Sequence, residues 1–298
     1  MSPAPSRGSA ATAYALLLIA AASWGGNWVA ARYAMDAIPP MTLVFWRWLI
    51  ACIVLVALAL PHLRRDAPLL RANWGRLAVL GAIGTTVFAM LGYVGLARTT
   101  AINASLLNGA MPIYQIPLSW LLLGLTISAR QGLGIVLSLA GVIVIITRGE
   151  PAMLAGLSFN PGDLLVLLAL FFWALYTVFI PRAPKVHPLS LLAFGSVAGL
   201  LFLLPFFGWE LATTPPPAYT RESIGAIVYL ALFPSVLSYV CWNAAVGRIG
   251  PNAAAFFNPT IPAFGTLWAI LLLGEPLHGH HLAGFGLVIA GVLMSARR

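Results

Sequence analysis

Two asparagines that each precede a proline by four residues are the positions in this sequence best suited to bind a polar ligand. They are Asn108, in the frame that ends at Pro112, and Asn258, in the frame that ends at Pro262, and both lie in apolar runs long enough to cross a bilayer. Proline has no backbone N–H, so we expect the carbonyl groups of both asparagines to lose their helical partners. At membrane depth such groups need cover from protein or access to water. The sequence therefore predicts that both turns line a cavity.

Aromatic side chains accompany polar ones on two other apolar runs. Trp24, Asn27 and Trp28 have i, i+3, i+4 spacing, which places them on one helix face, and Trp173 and Tyr176 hold the corresponding positions 149 residues later. The alternative is that they form an aromatic belt at the membrane interface. Trp24 and Trp173 lie about ten residues into their runs, which favours a cavity wall with an aromatic platform.

Three further polar side chains and one cation complete the candidate binding site. Tyr93, Tyr239 and Asn243 lie on polar stripes, which either line the cavity or join helices by hydrogen bonds. Arg47 is the one basic residue well inside an apolar run. It either extends to the outer surface or faces the mouth of the cavity, where it could attract a carboxylate.

The sequence argues against catalysis and against a bound metal or cofactor. No G-x-S-x-G, H-E-x-x-H or P-loop pattern occurs. The titratable cluster Glu275, His278, His280 and His281 sits in one short turn that offers a poor coordination shell, so we expect a solvated loop. No Asp or Glu lies in the middle of a run, which argues against proton-coupled export of cationic drugs. The candidate cavity suits a small neutral or zwitterionic amphiphile.

The composition identifies the class of protein that must position these side chains. Of the 298 residues, 61% are hydrophobic and 8% are charged, whereas soluble domains carry about 25% charged residues. The chain is therefore predicted to be an all-α, multi-pass membrane protein. Its net charge of +9 is scattered along short loops and forms no dense face for nucleic acid.

Apolar runs separated by turns or charges predict ten transmembrane helices. The expected spans are 14–35, 41–61, 75–97, 100–124, 129–147, 163–181, 189–207, 222–246, 252–273 and 279–296.

An offset of 150 residues superimposes the two halves of the chain. It aligns Asn108 with Asn258, Pro112 with Pro262 and the Leu-Leu-Leu-Gly run at 121–124 with that at 271–274. Five is an odd number of crossings, so we expect two inverted five-helix repeats around a central cavity, as in many transporters. The predicted organisation is a cytoplasmic N-terminal tail (1–13), a first repeat (14–147), a linker (148–162) and a second repeat (163–298).

Basic residues set the expected orientation. Eleven of the 16 Lys and Arg residues fall in the N-terminus and the even-numbered loops, and four fall on the other side. Both termini are therefore predicted to be cytoplasmic, with membrane lipid around the helices. Small residues on spans five and ten have the spacing of closely packed helices. We expect them to pack within one chain and expect the protein to be a monomer.

These features together resemble a known family. The two five-span copies, Trp24-Gly25, Arg47, the Asn/Pro turns and the Leu-Leu-Leu-Gly-Glu-Pro run that ends at Pro276 resemble the EamA-type drug/metabolite transporters, and within them the YddG-type amino-acid exporters. The resemblance implies a ten-helix basket whose cavity is walled mainly by spans one, three, four, six, eight and nine. It also implies export of aromatic and other neutral amino acids across a bacterial inner membrane.

The expected function is that of a secondary carrier for a small-molecule substrate, working by alternating access. Spans one, two, six and seven would rock at kinks such as Gly25-Gly26 against spans three, four, eight and nine. Three alternatives stay open. One is a carrier of nucleotide sugars or phosphorylated metabolites, which would need more cations than Arg47 in its cavity. The others are a membrane-embedded enzyme and a scaffold or receptor subunit without transport.

Overall fold

The structure is a bundle of ten membrane-length helices and contains no strand among the residues described. The computed structural model describes residues 7–150, 152, 160–273 and 276–296. Within these, ten helical stretches are long and apolar enough to cross a membrane, as predicted. They are Ala10–Ala34, Pro40–Ala72, Trp74–Leu96, Asn103–Leu123, Ala129–Ile146, Pro161–Arg182, Pro188–Thr213, Arg221–Ile249, Pro251–Leu271 and Gly279–Ala296, called spans one to ten below.

Several spans consist of more than one helix. Span one breaks at Gly26, between the helices Arg7–Gly25 and Asn27–Ala34, as the Gly25-Gly26 pair predicts. The other broken spans are three (Trp74–Gly81 and Phe88–Leu96), four (Ala101–Gly109 and Pro112–Leu123), eight (Arg221–Leu230 and Ser238–Ile249) and nine (Pro251–Ala255 and Thr260–Leu273). Span six is the helix Pro161–Phe179 followed by a 3₁₀ turn, Ile180–Arg182.

Spans three and eight contain π-helical segments at matching positions. The segments are Ala82–Val87 and Ala231–Leu237, whose first residues are 149 positions apart. A π-helix is rare and frequently marks a functional site, because the extra residue per turn disturbs the regular ladder of hydrogen bonds. Pro234 lies inside the second segment only, so proline alone does not account for the pair.

The breaks in spans four and nine fall at the two Asn/Pro turns, but their backbone differs from the expectation. The carbonyl of Asn108 accepts a hydrogen bond from the N–H of Met111 (3.1 Å), and that of Asn258 accepts one from Ile261 (3.0 Å). The prediction of free carbonyl groups was therefore wrong. Each turn tightens to i+3 hydrogen bonds, which recover the partner that proline removes.

Spans two and seven are longer than predicted. Span two was expected to end at residue 61 and continues to Ala72 through Pro61 and Pro68. Its added segment contains His62, Arg64, Arg65, Asp66 and Arg71, and a search for apolar runs does not detect such a helix.

Span seven was expected to end at residue 207 and continues to Thr213, because its last turns hold a buried cap. Glu210 accepts hydrogen bonds from the backbone N–H groups of Met41 (2.9 Å) and Thr42 (2.7 Å). This carboxylate caps the N-terminus of span two, where the helix dipole favours a negative charge.

Spans five and ten pack backbone against backbone. A methyl group added at Gly291 would lie 2.4 Å from the carbonyl oxygen of Gly134, and one at Gly141 would lie 2.7 Å from that of Gly284. Real Cβ atoms do not approach backbone so closely, so both positions require glycine. The small residues thus join the two halves of one chain, as expected.

Candidate functional site

A small internal cavity lies where the broken spans meet. It is lined by Trp24, Asn27, Trp28, Arg47, Phe88, Asn108, Trp173, Asn258 and Ile261. Seven of the eleven predicted site residues are among them, from both halves of the chain. The cavity volume is about 20 Å³, which is enough for about one water molecule. In this structure the cavity is therefore too small to hold a metabolite.

Arg47 points inward and does not extend to the surface. Its side chain is 1% exposed. Its Nε donates to Ser235 Oγ (2.5 Å), and its Nη1 donates to Asn27 Oδ1 (3.1 Å) and to the hydroxyl of Tyr93. None of the described carboxylates pairs with it. The cavity wall thus carries a buried positive charge whose hydrogen-bond acceptors, among the described residues, are neutral oxygen atoms.

Tyr93 lies in the layer behind the cavity wall. Its hydroxyl is 3.2 Å from Asn27 Oδ1, so Tyr93, Asn27 and Arg47 form a three-way contact between spans one, two and three. The Arg47 guanidinium carbon also lies 5.4 Å from the centre of the Tyr93 ring, within the range of a cation–π interaction. These contacts fix the orientation of the guanidinium.

The aromatic side chains pack against one another beside this charge. The ring of Trp24 lies 5.3 Å from that of Trp173 and 5.4 Å from that of Trp242, and the ring of Tyr239 lies 5.0 Å from that of Trp173. Offset and edge-to-face arrangements at these distances are attractive. The predicted aromatic platform is therefore a cluster that fills the space between spans one, six and eight.

The π-helical segments bind this cluster through backbone carbonyl groups. Trp24 Nε1 donates to the carbonyl of Pro234 (2.9 Å) in span eight. The hydroxyl of Tyr239 donates to the carbonyl of Gly84 (2.7 Å) in span three. Each segment of irregular helix thus contacts one aromatic polar atom of the cluster, which couples helix geometry to the packing of the aromatic rings.

The two asparagines of the broken helices differ in their partners. Asn258 Nδ2 donates to the carbonyl of Ala255 (3.2 Å). Asn108 Oδ1 is buried and has no hydrogen-bond partner among the described residues. A buried amide oxygen without a partner is costly, so Asn108 is an acceptor available to a water molecule or a ligand in the cavity.

Tyr239 belongs to the aromatic cluster and Tyr176 packs against it, but neither these two residues nor Asn243 lines the cavity. Asn243 Nδ2 donates to the hydroxyl of Tyr176 (2.6 Å), and both residues are buried. The sequence analysis did not select Phe88 and Ile261, which line the cavity, or Trp242 and Ser235, which contact its wall. Trp242 and Ser235 lie on the same helix face as Tyr239 and Asn243, so that polar stripe was the available signal.

The His-rich cluster lies apart from the cavity and is not the solvated loop that was expected, because span ten begins at Gly279 and its first turn contains His280 and the buried His281. The N–H of His278 donates to His281 Nδ1 (3.2 Å), and Glu275 lies outside the described residues. The rings of His278, His280 and His281 lie 4.1–5.7 Å apart, but no group of three described His, Cys, Asp or Glu side chains has an arrangement that could hold a metal ion.

Comparison with known proteins gives the family. The model of the EamA-like transporter family matches the chain twice, over residues 11–147 and 160–297. This chain belongs to the EamA-like transporter family. Each match contains five of the ten spans.

Individual EamA-like relatives extend over almost the whole chain. The uncharacterized transporter YyaM of Bacillus subtilis (strain 168) is 30% identical over 287 residues, covering 95% of this chain and 93% of its own. A probable amino-acid metabolite efflux pump of Salmonella typhimurium is 27% identical over 289 residues, covering 94% and 93%. A crystal structure with 20% identity has a TM-score of 0.79 over 97% of both chains, which supports the fold of this EamA-like protein.

Proposed function

We propose that this EamA-like protein is a secondary transporter that exports small amphiphilic metabolites, chiefly aromatic and other neutral amino acids, by alternating access. The observation that carries the proposal is the chemistry of the cavity wall. One guanidinium without an acidic partner among the described residues faces a cavity of tryptophan rings and carboxamides. An amino acid carries a carboxylate, an ammonium group and an apolar side chain, and each of these has a suitable partner there.

Arg47 is the proposed partner of the substrate carboxylate. A planar guanidinium suits a carboxylate because it can donate two parallel hydrogen bonds. Asn27 and Tyr93 hold the Nη1 atom, so the group is oriented before the substrate arrives. A buried charge without a counterion is unfavourable, and a bound carboxylate would relieve that cost.

The amide oxygens are the proposed partners of the substrate ammonium group. Asn108 Oδ1 has no partner among the described residues, and Asn258 lines the same cavity from the other half. The faces of Trp24, Trp28 and Trp173 would then contact the side chain of the substrate. Tyr176, Tyr239 and Asn243 would join the site once the aromatic cluster separates.

The small cavity and the broken helices support alternating access. A site of about 20 Å³ must expand to admit an amino acid. Discontinuous helices at the site, here spans four and nine, are typical of transporters because their ends can reorient with little loss of backbone hydrogen bonds. The break at Gly26 gives span one a point at which to bend.

The proposed location is the inner membrane of a bacterium, with both termini in the cytoplasm and the chain acting as a monomer. The distribution of basic residues supports this orientation. A carrier of phosphorylated compounds is disfavoured because Arg47 is the one cation among the described residues lining the cavity. Neutralising a phosphate group would need more than one cation in the cavity wall.

Transport by purified protein in liposomes tests the proposal. Vesicles preloaded with unlabelled phenylalanine should accumulate external labelled phenylalanine by exchange, and other neutral amino acids should compete. Protein-free vesicles and vesicles with the Arg47→Gln variant are the controls. If none of the twenty amino acids moves through the wild-type protein in either direction, the proposed substrate class is wrong.

A further inference from the structure

A second and larger concavity lies on the outside of the bundle, between the start of span three and the end of span six. We call it the basic groove and define it by Arg76, Val79, Leu80 and Ile83 of span three together with Phe179 and Arg182 of span six. Its volume is about 380 Å³, against about 20 Å³ for the central cavity. The transport proposal makes no use of this groove.

Two guanidinium groups line the basic groove, and none of the described residues that line it carries a carboxylate. Arg182 donates to the carbonyl of Leu122 at the end of span four, and its guanidinium carbon lies 5.9 Å from the centre of the Phe179 ring. Arg76 is exposed and has no hydrogen-bond or ion-pair partner among the described residues. The groove therefore combines one anchored positive charge with one that is uncompensated.

Below the two arginines the groove is apolar. Val79 is 61% exposed, and Leu80, Ile83 and Phe179 continue the surface. Ile83 is seven residues beyond Arg76, which corresponds to about 10 Å along a helix. The groove thus offers a charged upper end and a hydrocarbon-like lower end.

Trp74, next to the groove, indicates how deep the groove lies in the membrane. It is the first residue of span three and is 67% exposed. Tryptophan concentrates at the boundary between headgroups and hydrocarbon. Arg76 and Arg182 therefore lie near the level of lipid phosphates, and the apolar floor lies at the level of the acyl chains.

We propose that the basic groove is a binding site for an anionic phospholipid of the leaflet that faces the cytoplasm. The charge complementarity selects the headgroup, because basic pockets between transmembrane helices on that side bind anionic lipids. The apolar floor selects a lipid over a soluble anion. The assignment to the cytoplasmic leaflet rests on the distribution of basic residues that orients the chain.

Lipid-dependent thermal stability in detergent tests this site. Phosphatidylglycerol should raise the melting temperature of the wild-type protein at lower concentration than phosphatidylcholine does. The Arg76→Gln/Arg182→Gln double variant should bind phosphatidylglycerol roughly thirtyfold more weakly, since each basic residue near a membrane surface contributes about a fivefold gain in affinity. Arg130→Gln, which removes an exposed charge outside the groove, should retain the preference.

A second variant keeps both charges and fills the space. A Cβ at Gly75, which lines the groove, would meet no heavy atom within 4 Å, so Gly75→Leu should fold normally and weaken binding of phosphatidylglycerol. Equal stabilisation of the wild-type protein by the two lipids would overturn the proposal. So would an unchanged preference in both variants, or an equal shift with glycerol phosphate alone, which would identify a soluble anion as the occupant.

Discussion

The indole nitrogen of Trp24 donates a hydrogen bond of 2.9 Å to the carbonyl of Pro234, which joins span one to the π-helical segment of span eight. Trp24 also lines the central cavity and packs against Trp173. One side chain therefore contacts the proposed substrate site, the aromatic cluster and an irregular helix. Because Trp24 contacts all three, a movement of one of them should shift Trp24 and so alter its contacts with the other two.

Replacing Trp24 with Phe should loosen the π-helical segment of span eight. The variant keeps an aromatic ring but loses the hydrogen bond, which contributes roughly 0.5–1.5 kcal/mol. Amide hydrogen exchange of residues 231–237 should be faster by about two- to tenfold. Trp268→Phe is the matched control, because Trp268 Nε1 donates to the carbonyl of Ala22 (2.7 Å) and not to that segment. Equal acceleration in both variants would contradict the specific link.

Replacing Arg47 with Gln should weaken binding of substrates that carry a carboxylate. Hydrogen bonds to charged groups are worth roughly 1.5–3 kcal/mol, so affinity for phenylalanine should fall about 10- to 100-fold. Competition against labelled substrate measures it, with phenylalaninamide as the ligand that lacks the carboxylate. Affinity for the amide should change little, which also verifies folding. Arg221→Gln, an exposed change, should affect neither ligand, and equal losses for both ligands would refute the assigned role.

Gly291→Ala should destabilise the protein through the contact between spans five and ten. The added methyl group would lie 2.3 Å from Ser138 Oγ and 2.4 Å from the Gly134 carbonyl oxygen, and overpacking of this kind costs roughly 1–3 kcal/mol. Gly286→Ala lies on the same helix but meets nothing within 4 Å. Thermal unfolding should therefore distinguish the two variants, with the melting temperature lowered only for Gly291→Ala. Similar melting temperatures would mean that the helices separate at no cost.

Stability should fall on mild acidification because of a histidine pair between spans two and seven. The rings of His62 and His187 are stacked with centres 3.5 Å apart. Burial and the neighbouring His62 lower the pKa of His187, with Arg65 adding to this effect and Asp66 opposing it. The neutral ring also accepts a hydrogen bond at Nδ1 from the N–H of Leu189 (3.3 Å), which protonation would remove.

The direction of this change in stability with pH follows from the lowered pKa of His187. Below about pH 6.5, the ordinary histidine value, the unfolded chain binds a proton more readily than the folded one, so the stabilisation present at higher pH is lost as pH falls. His62→Phe keeps the ring stack but removes the like charge, so its melting temperature should decline less between pH 7.5 and 5.5. His280→Phe, at the start of span ten, should behave as the wild-type protein. A slope unaffected by His62→Phe would exclude the pair as the cause.

The sequence predicted the features that a local residue pattern determines. It predicted less well the features that depend on tertiary contacts. Asn108 and Asn258 were identified because proline interrupts a helix at a fixed distance. The i+3 hydrogen bonds that satisfy their carbonyls were not expected, since they depend on how the chain relaxes around each proline. Two orientations of Arg47 were equally compatible with the sequence, because the deciding partner, Ser235, lies 188 residues away.

The π-helical segments could not be predicted from the sequence either. Ala82–Val87 contains no proline, and its composition does not distinguish it from a regular helix. The extension of span two to Ala72 was missed because a helix that leaves the membrane loses its apolar signal. Four predicted site residues do not line the cavity wall. They were selected because they share a helix face, and a helix face indicates which way a side chain points but not where along the helix it meets the neighbouring helices.

The matching π-helical segments also record how the chain arose. An additional residue wound into a helix is an uncommon event, and two independent insertions at equivalent places would be rarer still. The simplest history is a single ancestral gene, encoding five helices, that already carried the insertion before duplication and fusion. On that history the irregularity is older than the pairing of the two halves.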